Sequence, residues 1–158
     1  MKGKTALVTG SAGGLGLSIV RGLAAAGCNV VLHGLDPVAT MHARCAGLAQ
    51  AHGVRVDYRH ADLAEPHAIA SMVRGIADST GGIDILVNDA VVRHMALIDG
   101  YPVQHRGMAL AINLTTKTAP PGLTRAVAVE AASDGITCNA DRPADSALTS
   151  ARSLCTEP

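Results

Sequence analysis

Eight residues near the start of the chain, Thr9-Gly10-Ser11-Ala12-Gly13-Gly14-Leu15-Gly16, have the types and spacing of an anion cradle. They follow the apolar run Ala6-Leu7-Val8 and precede the helix-like Leu17-Ser18-Ile19-Val20-Arg21-Gly22-Leu23. A strand that feeds a glycine-rich turn and then a helix aims free backbone N–H groups, at the positive end of the helix dipole, toward whatever lies above the strand. The commonest occupant of such a turn is a pyrophosphate. Glycine suits positions 10, 14 and 16 because the turn calls for positive φ, and because a Cβ would hold the phosphates and the helix apart. Glycine spacing alone is a weak signal, and the strand, turn and helix around it supply the context the motif requires. A second candidate is Asp36, twenty residues after Gly16 at the end of the next apolar run. An acid at that distance can hold the hydroxyls of a ribose, or it can serve as a loop or N-cap acid before Pro37.

The elements that must position these groups follow from hydrophobic patterning. Residues 5–9 and 29–33 are continuous apolar runs, as expected for parallel strands covered on both faces. Residues 54–58 alternate more, which suits a sheet edge, and residues 83–88 form a fourth strand. Helices are expected over 15–26, 38–52, 66–79, 103–116 and 122–133, and a last strand over 136–140. The alternation of strand and helix implies an α/β fold, a Rossmann-like doubly wound parallel sheet of about five strands with right-handed crossovers. Residues 1–150 then form a single dinucleotide-binding domain and 151–158 a tail.

The chain of 158 residues is long enough to bury roughly 70% of its unfolded surface. Aromatic residues make up only 1%, with Tyr58 and Tyr101 the two present, so the core must be aliphatic and rich in alanine. Thirteen basic and thirteen acidic residues cancel, and no basic run appears, which leaves a nucleic-acid surface without electrostatic support. Cys28, Cys45, Cys138 and Cys155 are scattered without a C-x-x-C pair, so neither zinc nor disulfides are expected. Met1-Lys2-Gly3-Lys4 leads straight into a strand rather than a signal core, and no apolar run approaches the roughly 18 residues of a membrane span. A cytoplasmic protein with no metal is the expectation.

The spacing Thr-Gly-x-x-x-Gly-x-Gly differs from the general G-x-G-x-x-G fingerprint and resembles the short-chain dehydrogenase/reductase family. Further stretches match that family in order: Lys2–Gly10, Ala61-Asp62-Leu63, Gly82-Ile83-Asp84-Ile85-Leu86-Val87-Asn88 and Gly135-Ile136-Thr137-Cys138-Asn139-Ala140. Within the family, the 3-hydroxybutyrate dehydrogenases are most similar. The resemblance covers residues 2 to about 114 well and 117 to about 149 in part.

What this resemblance implies is hydride transfer between a nicotinamide dinucleotide and a small hydroxy or keto acid. Gly10, Ser11, Gly14, Leu15 and Gly16 would face the diphosphate. The family's ribose acid tends to fall at Gly34, which leaves Asp36 to replace it, and with no Arg closely following, NAD is favoured over NADP. Asp62 and Leu63 would flank the adenine, although Asp62 can equally cap a turn. Asn88 and Ala90 would lie along the nicotinamide-side ribose, with Asp89 and Val91 standing where the family has Asn and Gly. Arg93 and His94 correspond to substrate-contacting positions, Arg93 being either a bidentate carboxylate clamp or a solvated loop residue. Thr149 lies one place late for the Thr that meets the nicotinamide carboxamide.

The departure is sharpest after Asn113-Leu114. Family members continue into a central strand, a catalytic Ser and Tyr-x-x-x-Lys, whereas here the match resumes at Lys117. By register Lys117 holds the catalytic lysine position, or is a solvated helix-end lysine, and the residue four before it is Asn113 rather than Tyr. In the family that Tyr exchanges the hydroxyl proton while Lys lowers its pKa. The expectation is therefore an internally deleted, C-terminally truncated family member, impaired in turnover, or a dinucleotide-binding remnant. Helices over 103–133 would pair between subunits, as in family tetramers.

Overall fold

The computed structural model describes residues 1–90 and 122–140. These fall into two compact units, with residues 1–90 in the first and 122–140 in the second. The first contains β1 (Thr5–Thr9), α1 (Gly14–Ala25), β2 (Asn29–Gly34), α2 (Val38–His52), β3 (Val56–His60), α3 (Pro66–Thr80) and β4 (Ile85–Asn88). The strands form one parallel sheet of order β3-β2-β1-β4.

Alternation along the two central strands sends side chains to opposite faces, and each face has its own core. Ala6 and Val8 of β1 and Val30 and Leu32 of β2 pack with Val20 and Ala24 of α1 and Met41 and Leu48 of α2. Leu7 and Val31 pack on the other face with Met72 and Ile76 of α3. Covering on both faces explains why β1 is buried along its whole length and why its sequence shows no polar alternation. Burying each of these large aliphatic side chains contributes roughly 1.5–3 kcal/mol. Proline opens α3 at its first turn, where a missing N–H is harmless. Helices α2 and α3 close on Gly53 and Gly81, whose N–H groups bond back to the carbonyls of Ala49 and Ala77.

Several expected elements shift and one does not form. Strand β3 runs over Val56–His60 rather than 54–58, because its pairing with β2 begins at Val30↔Val56. Strand β4 starts at Ile85, where its pairing with β1 begins at Ala6↔Ile85. In the second unit, residues 122–130 are helical and a 3-10 turn follows at Ala132–Asp134, so the helix ends earlier than residue 133. Residues 136–140 carry no strand: Ile136 and Thr137 supply propensity, but a strand forms only where a partner offers its hydrogen bonds. The helix expected over 103–116 and the tail 151–158 lie outside the described residues. Among the described residues, no helix is long and apolar enough to cross a membrane.

A cross-link joins the starts of β1 and β4 at the edge opposite the glycine-rich turn. Lys4 Nζ lies 2.6 Å from Asp84 Oδ1, while Asp84 Oδ2 accepts the Thr5 N–H at 2.8 Å. The hydrogen bond from Lys4, and then that from Thr5, hold the Asp84 carboxyl below its ordinary range, and the same pair holds Lys4 above its own. Stability from a lowered carboxyl is present above its unfolded pKa and is lost as pH falls through the folded value; that from a raised lysine is lost as pH rises through its folded value. Both groups are at the surface, so the effect is small. Asp84→Asn is expected to flatten the acid limb of stability against pH, read from melts across the carboxylate range. An unchanged acid limb would show that the pair contributes nothing there.

Candidate dinucleotide site

The glycine-rich turn sits where the strand order reverses. Strands β2 and β4 lie on either side of β1, so the crevice beyond their carboxyl ends is the topological switch point of the sheet. Gly10, with φ +67°, leaves β1, and a Cβ there would sit 2.7 Å from Ala90 Cα. A Cβ on Gly16 would sit 2.9 Å from the Gly10 carbonyl oxygen and 2.8 Å from Asp89 Oδ2. These two glycines let the turn, the start of α1 and the end of β4 close on one another. Gly14 differs: φ is +58° and nothing lies within 4 Å of its Cβ position.

Helix α1 has Gly13 as its N-cap, with no side-chain cap and no acid in its first turn. Its first intrahelical bond runs from Leu17 N–H to the Gly13 carbonyl at 3.2 Å. The N–H groups of Gly14, Leu15 and Gly16 therefore belong to the set that a helix cannot satisfy itself. Gly14 is exposed and the space at its Cβ position is open, so an anion such as a diphosphate can reach these donors.

Ser11 is fully buried and structural in position. Its Oγ donates to the Val8 carbonyl at 2.7 Å and accepts the His33 N–H at 3.0 Å, while its own N–H bonds the His33 carbonyl at 2.8 Å. Thr9 ties the far side of the crevice, its Oγ1 accepting the N–H groups of Asp89 and Ala90, both at 3.1 Å. Asn88 and Ala90 are thereby placed beside the turn, with Thr9↔Asn88 in register.

At the end of β2, Gly34 is closely covered: a Cβ would meet Ala12 Cβ at 2.8 Å and the Tyr58 hydroxyl at 3.3 Å. The same Cβ position lies 3.7 Å from Asp36 Oδ2, so the Asp36 carboxylate turns back over the residue where the family carries its acid. The loop is pinned by its backbone. The Asp36 carbonyl accepts the Tyr58 hydroxyl at 2.8 Å, and His60 Nδ1 lies 3.2 Å from the same oxygen. Burial, then the Asp36 carboxylate, push the Tyr58 hydroxyl above its ordinary range. Tyr58 serves as a hydrogen-bond donor to the loop.

Asp62 is exposed and closes a turn, Oδ1 accepting the Ala64 N–H at 2.9 Å, and Leu63 beside it is half-buried. Patterning did not single out Arg44 and His33. Arg44 on α2 reaches back to donate to the Ala12 carbonyl within the glycine-rich turn, a cation that no residue close behind Asp36 supplies. His33 reads as one more residue of an apolar strand, yet it bonds both flanking loops. Val91, Arg93, His94, Asn113, Lys117 and Thr149 lie outside the described residues.

A four-stranded parallel sheet with helices on both faces and a glycine-rich turn at its switch point defines a Rossmann-like α/β protein. Residues 4–116 match the family model for short chain dehydrogenases, and the chain belongs to that family. D-beta-hydroxybutyrate dehydrogenase from Cupriavidus necator is 41% identical over 128 residues, 78% of this chain and 49% of that protein. The chain thus spans about half the length of this curated relative. A dehydrogenase/reductase from Sinorhizobium meliloti 1021 is similar in structure, with TM-score 0.60 at 34% identity over 72% of this chain and 44% of that one. So is L-sorbose reductase from Gluconobacter frateurii, solved with NADPH and L-sorbose, with TM-score 0.57 at 35% identity over 66% and 39% of the two chains.

Proposed function

We propose that this chain binds NAD across the carboxyl edge of its sheet and does not carry an oxidation of 3-hydroxybutyrate through to turnover. The observation that carries the binding reading is the uncapped start of α1, whose first-turn N–H groups lie beside open space at Gly14. Gly14, Leu15 and Gly16 would hold the diphosphate, with Gly10 and the buried Ser11, whose N–H groups are taken by His33, shaping the turn; Asp62 and Leu63 would hold the adenine end, and Asn88 and Ala90 the nicotinamide-side ribose. Bound NAD supplies a hydride acceptor; the protein must supply the proton exchange at the substrate hydroxyl. Here the sequence has Asn113 four residues before Lys117, where the family has its Tyr. Lys117 is thereby left without the phenol it would tune, and Arg93 and His94 would at most orient a small hydroxy or keto acid.

Support for NAD comes from Asp36, whose carboxylate returns to the neighbourhood of Gly34. There it would accept from ribose hydroxyls and repel a 2′-phosphate. One observation favours NADP instead: Arg44 brings a guanidinium to Ala12, and arginine suits a phosphate. Calorimetry with both dinucleotides separates the readings. NAD is expected to bind about tenfold tighter than NADP, roughly 1.4 kcal/mol, with Asp36→Ala erasing the difference. NADP binding as tightly as NAD, and weakened by Arg44→Ala, would transfer the site to the second reading. With 3-hydroxybutyrate and NAD, no NADH above background is expected; a rate abolished by Lys117→Ala would overturn the claim of lost turnover.

A further inference from the structure

Among the described residues, His33 is the one buried side chain that hydrogen-bonds to both halves of the candidate site. It sits near the end of β2, the strand between β1 and β3, and is only 3% exposed. On one side its Nδ1 lies 3.1 Å from the Gly10 N–H, at the first glycine of the turn. On the other its Nε2 lies 2.9 Å from the carbonyl of Ala61, the residue before Asp62 and Leu63. The partners fix the tautomer. An N–H can only donate, so Nδ1 carries the lone pair; a carbonyl can only accept, so Nε2 carries the proton. The backbone of His33 is held just as closely, its N–H on Ser11 Oγ and its carbonyl on Ser11 N–H.

We propose that His33 is a positioning residue whose neutral imidazole sets the spacing between the diphosphate turn and the adenine loop, so that the two ends of the dinucleotide bind as one ligand. This inference rests on the dinucleotide reading above. The turn after β1 and the loop after β3 are separated by β2, and the described hydrogen bonds joining them across it pass through this ring. The gain from connecting two subsites depends on their spacing matching the ligand that spans them. A fragment occupying one subsite feels only that subsite. Removing the ring therefore weakens a spanning ligand far more than its parts. The side chain also satisfies a backbone N–H and a backbone carbonyl at a buried position, where unpaired groups are costly.

The test uses the full chain and three probes, NAD, adenosine and inorganic pyrophosphate, titrated by NMR at a temperature where each variant is folded. His33→Leu is expected to weaken NAD about 10- to 100-fold while adenosine and pyrophosphate change less than about threefold. His33→Asn keeps one donor and one acceptor on a shorter stem, so it is expected to recover part of the NAD affinity; it also stands in should the Leu variant not fold. In the wild-type chain, ring 15N correlations are expected to show a proton on Nε2 and none on Nδ1. Equal losses for all three probes would mark a general loosening of the fold and overturn the proposal, as would NAD affinity within threefold of wild type in both variants, or the opposite tautomer. Failure of the wild-type chain to bind NAD would overturn the dinucleotide reading and this inference with it; intact wild-type binding with indifferent variants would overturn this inference alone.

Discussion

Gly10→Ala is expected to destabilise the chain by about 2–4 kcal/mol, measured by urea denaturation, because two independent costs fall on the same methyl group. The first is conformational. Gly10 has φ +67°, and holding an L-residue there costs roughly 1–2 kcal/mol. The second is steric. The new Cβ would lie 2.7 Å from Ala90 Cα and 2.9 Å from Ala90 N, contacts that must open. They are backbone atoms, so no rotamer change relieves them. Ala90 is also held in place, since its N–H donates to Thr9 Oγ1 at 3.1 Å and Thr9 pairs with Asn88 in the sheet. Relief must come either by spreading β1 from β4 or by rotating the turn, and the second route pulls the Gly10 N–H away from His33. A loss below about 0.5 kcal/mol, within the range of ordinary surface substitutions, would show that the turn is soft and that the close approach is not a constraint.

The same geometry explains what could be read in advance and what could not. Strands β1 and β2 were legible because burial on both faces leaves an apolar run with no other use for it. Helix α2 was legible to the residue, with Pro37 before it and Gly53 after it. The start of β3 was not, because a ladder begins where the neighbouring strand offers its groups, and Val54 looks as strand-like as Val56. Residues 136–140 make the same point more strongly, since Ile136 and Thr137 are strand-favouring types and yet no strand forms. At the site, Gly10, Gly14 and Gly16 could be named because their spacing encodes a turn with a known chemical use. His33 could not: only the order β3-β2-β1 and the register that puts its ring between Gly10 and Ala61 give it a role. Arg44 and the returning carboxylate of Asp36 were hidden for the same reason, each acting on a residue that helix or loop geometry brings near.

Gly14→Val should separate the fold from the ligand. Its backbone also lies at positive φ, +58°, but nothing lies within 4 Å of its Cβ position, so the substitution adds conformational strain without a clash. That strain is of order 1–3 kcal/mol for a side chain held in a sparsely populated region. The chain should therefore stay folded, while the isopropyl group occupies the open space beside the uncapped start of α1. NAD affinity is expected to fall about 100-fold or more, roughly 2.7 kcal/mol, when followed by calorimetry on the folded variant. Strain alone could distort the turn and produce the same loss, so Gly14→Asn is the necessary companion. Asparagine tolerates the left-handed region far better than valine, yet still projects a side chain into the cradle. If the loss comes from occupied space, both variants lose NAD although only valine loses stability. If asparagine binds NAD like the wild type, the space above Gly14 is not where the phosphates lie, and the anion cradle must be sought elsewhere on the sheet edge.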